Sequence, residues 1–253
     1  EAQSPLLLPA QGIVFHGDCP RMAWGRVLVY TDEFLSPSMT FIARQIQTLT
    51  SCFDVSVLAR ARRNANLFPF EPVEVVPPPA GERLLARVRR RFEGRDWQVT
   101  GSARGRVTAA ISNRRPDLIH AHFGPSGLSI LPFARAQNIP LVTTFHGFDA
   151  SSYLKRKAYF RDIFQLFKYS EIVTVSQEMR TRLIENGADP QRTHCHYIGV
   201  PTELFASDIR KSIAEKHNEG EKIRFLQISN FVEKKGHEFT VRAFSEVSRL
   251  IPN

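Results

Sequence analysis

DLIHAHF (117–123) and PLVTTFH (140–146) are the stretches whose reading decides the fold. Each is a short apolar run, and each leads into a glycine-containing turn. Runs that are apolar on both faces suit parallel strands covered by helices on either side. RVLVYT (26–31), DVSVLA (54–59), EIVTVS (171–176) and HCHYI (194–198) read as further strands. Helical spacing appears between them. MTFIARQIQTL places Ile42, Ile46 and Leu49 at i, i+4, i+7, and KAYFRDIFQLF places Phe160, Ile163, Phe164 and Phe167 at i, i+3, i+4, i+7. Ser176 is placed to cap the helix QEMRTRLIEN, and Asn186-Gly187 to stop it. Such alternation predicts βαβ units with right-handed crossovers, hence an α/β fold built on a doubly wound parallel sheet. One domain of this kind is expected over residues 25–205, after an N-terminal segment, 1–24, with no clear period. The polar stretch 206–221 reads as a linker. A fresh strand and helix, 222–253, then begin a second domain that is incomplete, because one βα unit cannot bury its own apolar face.

Composition narrows the classes further. A chain of 253 residues can bury a full core, and its three cysteines, odd in number and widely scattered, argue against a disulfide framework and for a reducing compartment. No apolar run approaches the roughly 18 to 20 residues that a membrane-spanning helix needs. The opening EAQSPLLLPAQG lacks the basic start of a signal peptide. A cytoplasmic location is therefore expected. The net charge of +9 favours an anionic partner. In ERLLARVRRRFEGR (82–95), Leu84, Leu85, Val88 and Phe92 share a helical face, while Arg83, Arg87, Arg90 and Arg91 flank and back it. That pattern suits a solvated helix packed on the domain's edge and, equally, a helix lying on an anionic membrane surface at the inner face of the cell membrane; both readings stay open.

Ligands of open parallel sheets sit beyond the carboxyl ends of the strands. TDEFLSPS, HFGPSG, FHGFDASS and SQEM all fall there. In TTFHGFDASS, His146 ends a strand, Gly147 lets the backbone pass close to a ligand, and Asp149, Ser151 and Ser152 add polar groups. A neutral imidazole at that mouth can hydrogen-bond a hydroxyl or a developing charge. In NFVEKKG, Lys234 and Lys235 precede a helix whose N–H groups and dipole favour a phosphate, without the Walker pattern. His120, His122 and His146, and separately HCH at 194–196, have a spacing some metal sites use, yet no HExxH, EF-hand or carboxylate-rich partner pattern accompanies them, and no metal is expected.

Taken in order, HAHFGPSG, IPLVTTFHGFDASS, KYSEIVTVSQEMRTRLIENGAD, IGVPTELF and ISNFVEKKGHEFTVRAF closely resemble the retaining GT-B glycosyltransferases of family 4, of the capsule, exopolysaccharide and colanic-acid biosynthesis type. DEFLSPSMTFIARQIQTL is similar to the first loop and helix of that subgroup. The resemblance covers roughly residues 26–253. It implies a Rossmann-like acceptor domain followed by the first βα unit of a Rossmann-like donor domain. The implied activity moves a sugar from a nucleotide diphosphate sugar to a glycan or lipid-linked glycan, with retained configuration and no metal or other cofactor. By the same resemblance His146 contacts the transferred sugar, Lys235 and Gly236 meet the donor diphosphate with Lys234 and Asn230 beside them, and Ser38, Thr40, His122 and Asp149 face the acceptor.

The departures are specific. Asn230 stands where the family usually carries arginine, removing a guanidinium fork that Lys234 or a residue past Asn253 has to replace. Met39 replaces the glutamate of the first loop, and Ile198 and Pro201 stand where Asn and Asp are common. The family's Glu-x7-Glu segment would lie beyond Asn253, so these residues alone are expected not to complete a donor site. Three other classes stay open: a non-catalytic binder of sugars or nucleotide sugars, a basic nucleic-acid-binding protein without a recognition motif, and a metal-dependent hydrolase.

Overall fold

The computed structural model describes residues 25–79, 95, 97–200, 202 and 225–250. Its contacts divide the chain into two units, Glu1–Gly199 and Val200–Asn253. In the first unit the apolar runs form β1 (Arg26–Phe34), β2 (Asp54–Arg62), β3 (Val73–Val75), β4 (Leu118–His122), β5 (Leu141–Phe145), β6 (Glu171–Thr174) and β7 (Thr193–Cys195). The helices are α1 (Thr40–Leu49), α2 (Ser102–Arg114), α3 (Gly124–Ala136), α4 (Lys157–Tyr169) and α5 (Gln177–Glu185). All strand pairs are parallel, in the order β3-β2-β1-β4-β5-β6-β7. The strand order reverses between β1 and β4, where Val27–Tyr30 register against Leu118–Ala121. This is the doubly wound α/β sheet that the alternation of strands and helices predicts.

Side-chain alternation along the strands sorts the core into two layers. Leu28, Tyr30, Leu58, Ile119 and Ala121 join one cluster with Val107 and Ile111 of α2, Ile130 of α3 and Ile163 of α4. Val27, Val29, Val55, Val57 and Ala59 join the other with Ile42 and Ile46 of α1. Both faces of the sheet are therefore dry, which is why its central strands read as continuous apolar runs. At its start α5 is capped as expected, the Ser176 hydroxyl accepting from Met179 N at 3.1 Å. That capping ends β6 at Thr174, two residues before the predicted limit. Past α5, Gly187 turns with φ +96°.

The elements β3 and α2 were not predicted. The short edge strand β3 carries too few residues to show a period, and α2 buries small side chains, Ala103 and Ala110, with Val107 and Ile111, a faint apolar stripe. In the second unit Phe225–Ser229, the described part of the stretch 223–229 expected as a strand, forms no ladder, because a strand needs a neighbour and none pairs with it among the described residues. A 3-10 turn (Glu233–Lys235) and the helix α6 (His237–Leu250) follow. The Phe225 ring meets Phe244 of α6 edge-on at 4.7 Å, while Leu226, Ile228 and Leu250 stay exposed. The expected linker, and Arg83, Arg87, Arg90 and Arg91 of the basic helix, lie outside the described residues. Among the described residues no helix is long and apolar enough to cross a membrane.

The contact between α3 and the sheet is close because Gly127 has no side chain. A Cβ there would stand 2.8 Å from the Thr143 side chain and 2.9 Å from Leu166. Gly127→Ala is expected to destabilise the protein by about 1–3 kcal/mol through overpacking. A lowered urea midpoint at unchanged slope would report it. An unchanged midpoint would mean that α3 can back away from β5.

Candidate functional site

The chain leaves β5 at Phe145, turns through His146 and Gly147, and enters a 3-10 turn, Phe148–Ala150, that folds Asp149 beneath the corner. Gly147 adopts φ +143°, a conformation that side chains disfavour. Asp149 is fully buried. Its carboxylate accepts from Gly124 N at 3.0 Å, His146 N at 3.1 Å and Gly147 N at 2.8 Å. Burial raises its pKa, and the amide N–H groups oppose that rise. One side chain thus ties the corner after β5 to the start of α3. Phe123, the residue between β4 and α3, has φ +73°, rare for an aromatic residue. Its N–H donates to Thr144 O at 2.8 Å and its ring stacks on Phe148 at 5.2 Å, which holds the strained backbone in place.

Three histidines meet at this corner. His120 Nε2 lies 2.8 Å from Thr144 Oγ1, and His122 Nδ1 lies 3.1 Å from His146 Nε2. The His120 and His122 rings are 4.5 Å apart. Burial pushes His120 down to about 4 and His146 down to about 3, and holds His122 well below the usual range, so all three are neutral at pH 7. The His146 ring also touches two aromatic rings, Phe41 of α1 and Phe123, each at 4.7 Å between centroids. His122 Nε2 and His146 Nδ1 are buried without a hydrogen-bond partner. Among the described residues no group of three or more His, Cys, Asp or Glu is arranged to hold a metal ion.

The structure brings some of the expected residues together and separates others. Thr40 is the first residue of α1, next to Phe41, so the start of that helix adjoins His146. Thr40 and Ser38 are exposed, with Ser38 Oγ 3.3 Å from Ser36 Oγ. His122 and Asp149, by contrast, have no exposed surface. The acceptor contact expected of them does not fit this burial: Asp149 is committed to three amides and His122 to His146. Both support the corner from beneath. Phe41, Phe123 and Thr144 were not singled out as site residues, although an aromatic neighbour of histidine is written in both HAHF and TTFH.

In the second unit the 3-10 turn carries Lys234 and Lys235, both exposed, immediately before α6. Gly236 adopts φ +65° and its carbonyl accepts from Thr240 N at 3.0 Å, opening the helix. Gln227 Nε2 donates to Lys235 O at 3.1 Å, and Ser229 Oγ lies 3.0 Å from His237 Nε2. Asn230 is exposed beside this turn. Two ammonium groups and the amino end of a 14-residue helix therefore share one corner, a favourable place for an anion.

A separate hollow of about 470 Å³ lies among Arg95, Trp97, Arg104, Phe133 and Asp162, where Arg95 pairs with Asp162 at 2.7 Å. None of the expected site residues lines it. Within the first unit, His122, His146 and Asp149 gather instead at the corner after β5.

The sequence model of Glycosyltransferase Family 4 matches residues 40–204. Among solved structures, Anabaena HepE in complex with UDP-glucose superposes with a TM-score of 0.63 at 15% identity, over 88% of this chain and 57% of that one. HepE in complex with UDP gives 0.64 at 15% identity, over 87% and 57%. At this identity the likeness is one of fold, and the chain spans little more than half of HepE. UDP-N-acetylglucosamine 2-epimerase from Rickettsia bellii reaches only 0.48 at 14% identity, over 75% and 51%, and carries no argument. No curated protein matches the chain in sequence.

The buried imidazoles couple stability to pH. Their folded pKa values lie below the ordinary 6.5, so as pH falls the unfolded chain takes up protons first. Stability intact above pH 6.5 is lost as pH falls toward 4, by up to about 1.4 kcal/mol per pH unit for each histidine. Urea unfolding between pH 7 and 5 should show this slope, reduced by about one proton in His120→Gln, which can keep a bond to Thr144 without titrating. Equal slopes in the two proteins would mean that His120 titrates normally in the fold.

Proposed function

The chain belongs to Glycosyltransferase Family 4, and from that premise we propose that it takes part in transferring a sugar from a nucleotide diphosphate sugar to a hydroxyl of a glycan or lipid-linked glycan, with retained anomeric configuration, in polysaccharide biosynthesis. The observation that carries this reading is the neutral His146 at the carboxyl end of β5, in the rim where open parallel sheets bind their ligands. HepE, solved with UDP-glucose and with UDP, supports a nucleotide sugar as the donor class.

In this proposal His146 hydrogen-bonds the transferred sugar. The bond from the anomeric carbon to the diphosphate oxygen breaks, the acceptor oxygen bonds to that carbon on the same face, and the acceptor's proton passes to the departing phosphate. Negative charge grows on the diphosphate as it leaves. Lys235 and the N–H groups after Gly236 stabilise it, with Lys234 making up for the arginine that Asn230 replaces. Cationic side chains and a helix terminus do the neutralising here, so the scheme uses no metal. Ser38 and Thr40, exposed at the start of α1, line the acceptor side. Arg83, Arg87, Arg90 and Arg91 attach the protein to the cytoplasmic face of an anionic membrane, where a lipid-linked acceptor would lie. A second reading, a binder of nucleotide sugars without catalysis, is favoured by Asn230 alone.

The test uses the protein's full natural chain with UDP-glucose and other nucleotide sugars, in the presence of a membrane lipid extract. Release of nucleoside diphosphate with glycan product is expected, and binding without release would select the second reading. His146→Ala should lower turnover by about 10² or more, as loss of one preorganised donor does, with an unchanged circular dichroism spectrum. Undiminished transfer by that variant would remove His146 from the role. Separately, replacing Arg83, Arg87, Arg90 and Arg91 by glutamine should abolish sedimentation with anionic vesicles at low salt. If the wild-type protein does not sediment, the basic segment is solvated.

A further inference from the structure

His122 and His146 share one hydrogen bond, and the position of its proton follows from what surrounds the two rings. Both rings are neutral, so each carries one N–H and one bare nitrogen. With His122 Nδ1 and His146 Nε2 3.1 Å apart, one must donate and the other accept. If His146 donated, His122 would keep its proton on Nε2, a nitrogen that is buried without a partner in a residue with no exposed surface. An orphaned N–H in the interior is among the costliest polar defects. If His122 donates, its Nε2 is bare, and the unpartnered N–H moves to Nδ1 of His146, an atom that is also covered but belongs to a residue partly exposed at the rim, whereas His122 has no exposed surface. There a ligand oxygen can satisfy it once the side chains covering Nδ1 move aside.

We propose that His122 is the positioning residue of His146: its Nδ1–H donates to His146 Nε2 and fixes His146 as the Nδ1–H tautomer, which offers the transferred sugar a hydrogen-bond donor. The inference rests on His146 contacting the sugar, as proposed above. It assigns the chemistry of that contact. The bare nitrogen of His146 is occupied by His122, so His146 does not act as a base, and its partner is an oxygen lone pair of the sugar. The support extends one residue further. Thr144 holds His120 by its Nε2, and the His120 ring, 4.5 Å from that of His122, limits how His122 can turn. HAH in β4 thus places one histidine that orients the next strand's histidine and one that braces it.

Two-bond ¹H–¹⁵N correlation spectra of protein labelled at histidine read the tautomer directly, with no substrate present. Wild-type His146 is expected in the Nδ1–H form at pH 7. His122→Asn places an amide N–H near the position of Nδ1 and should preserve that form, with kcat close to wild type. His122→Leu removes the donor and should release His146 to the Nε2–H form, with a loss of about tenfold or more in kcat. A wild-type spectrum showing His146 as Nε2–H overturns the proposal, as does an Nδ1–H signal that persists in folded His122→Leu. Should His122→Leu not fold, the wild-type spectrum decides alone. Transfer retained by His146→Ala would sink the role of His146 in the reaction and leave the tautomer assignment standing, so the two failures are distinguishable.

Discussion

One carboxylate organises the rim of this sheet. Asp149 gathers the amide groups of Gly124, His146 and Gly147, which belong to the turns after two adjacent strands. Strand ends are otherwise the least constrained part of a parallel sheet, since the ladder stops and the loops begin. Here a charge buried on three N–H donors ties the two exits to each other, and the positive φ of Phe123 and of Gly147 is held by that tie. A buried ionised group is tolerable only when its hydrogen bonds are filled, and these are. The histidines inherit their geometry from it.

The two units carry different electrostatic characters. Around His146, above the Asp149 carboxylate, the side-chain groups are imidazoles kept neutral by burial and the Thr144 hydroxyl, with aromatic rings as walls. In the second unit the corner before α6 presents exposed ammonium groups and a helix terminus. Uncharged, hydrogen-bonding ligands suit a surface of the first kind, and anions one of the second.

The alternation of buried runs with helical spacing made the sheet readable, because strands covered on both faces must be apolar throughout. The positions of His146 at a strand end and of the lysines ahead of a helix were readable as well, since both are visible in one dimension. The roles of His122 and Asp149 were not. Whether a histidine in a strand faces solvent or core depends on which neighbours pack over it, and His120 and His122 both end up beneath the rim. Asp149 sits in a polar-looking stretch, HGFDASS, and only the 3-10 turn buries it. The edge strand β3 escaped notice because three residues hold no period.

Both borders of the sheet, β3 and β7, are three residues long. An outer strand is a template on which a stray chain can add itself, and a template this short offers few rungs. Beside β7, Arg192 donates to Glu171 and to the Lys168 and Tyr169 carbonyls, tying the segment that enters the border back onto the end of α4. The brevity of both margins therefore leaves little backbone on which a stray strand could extend the sheet.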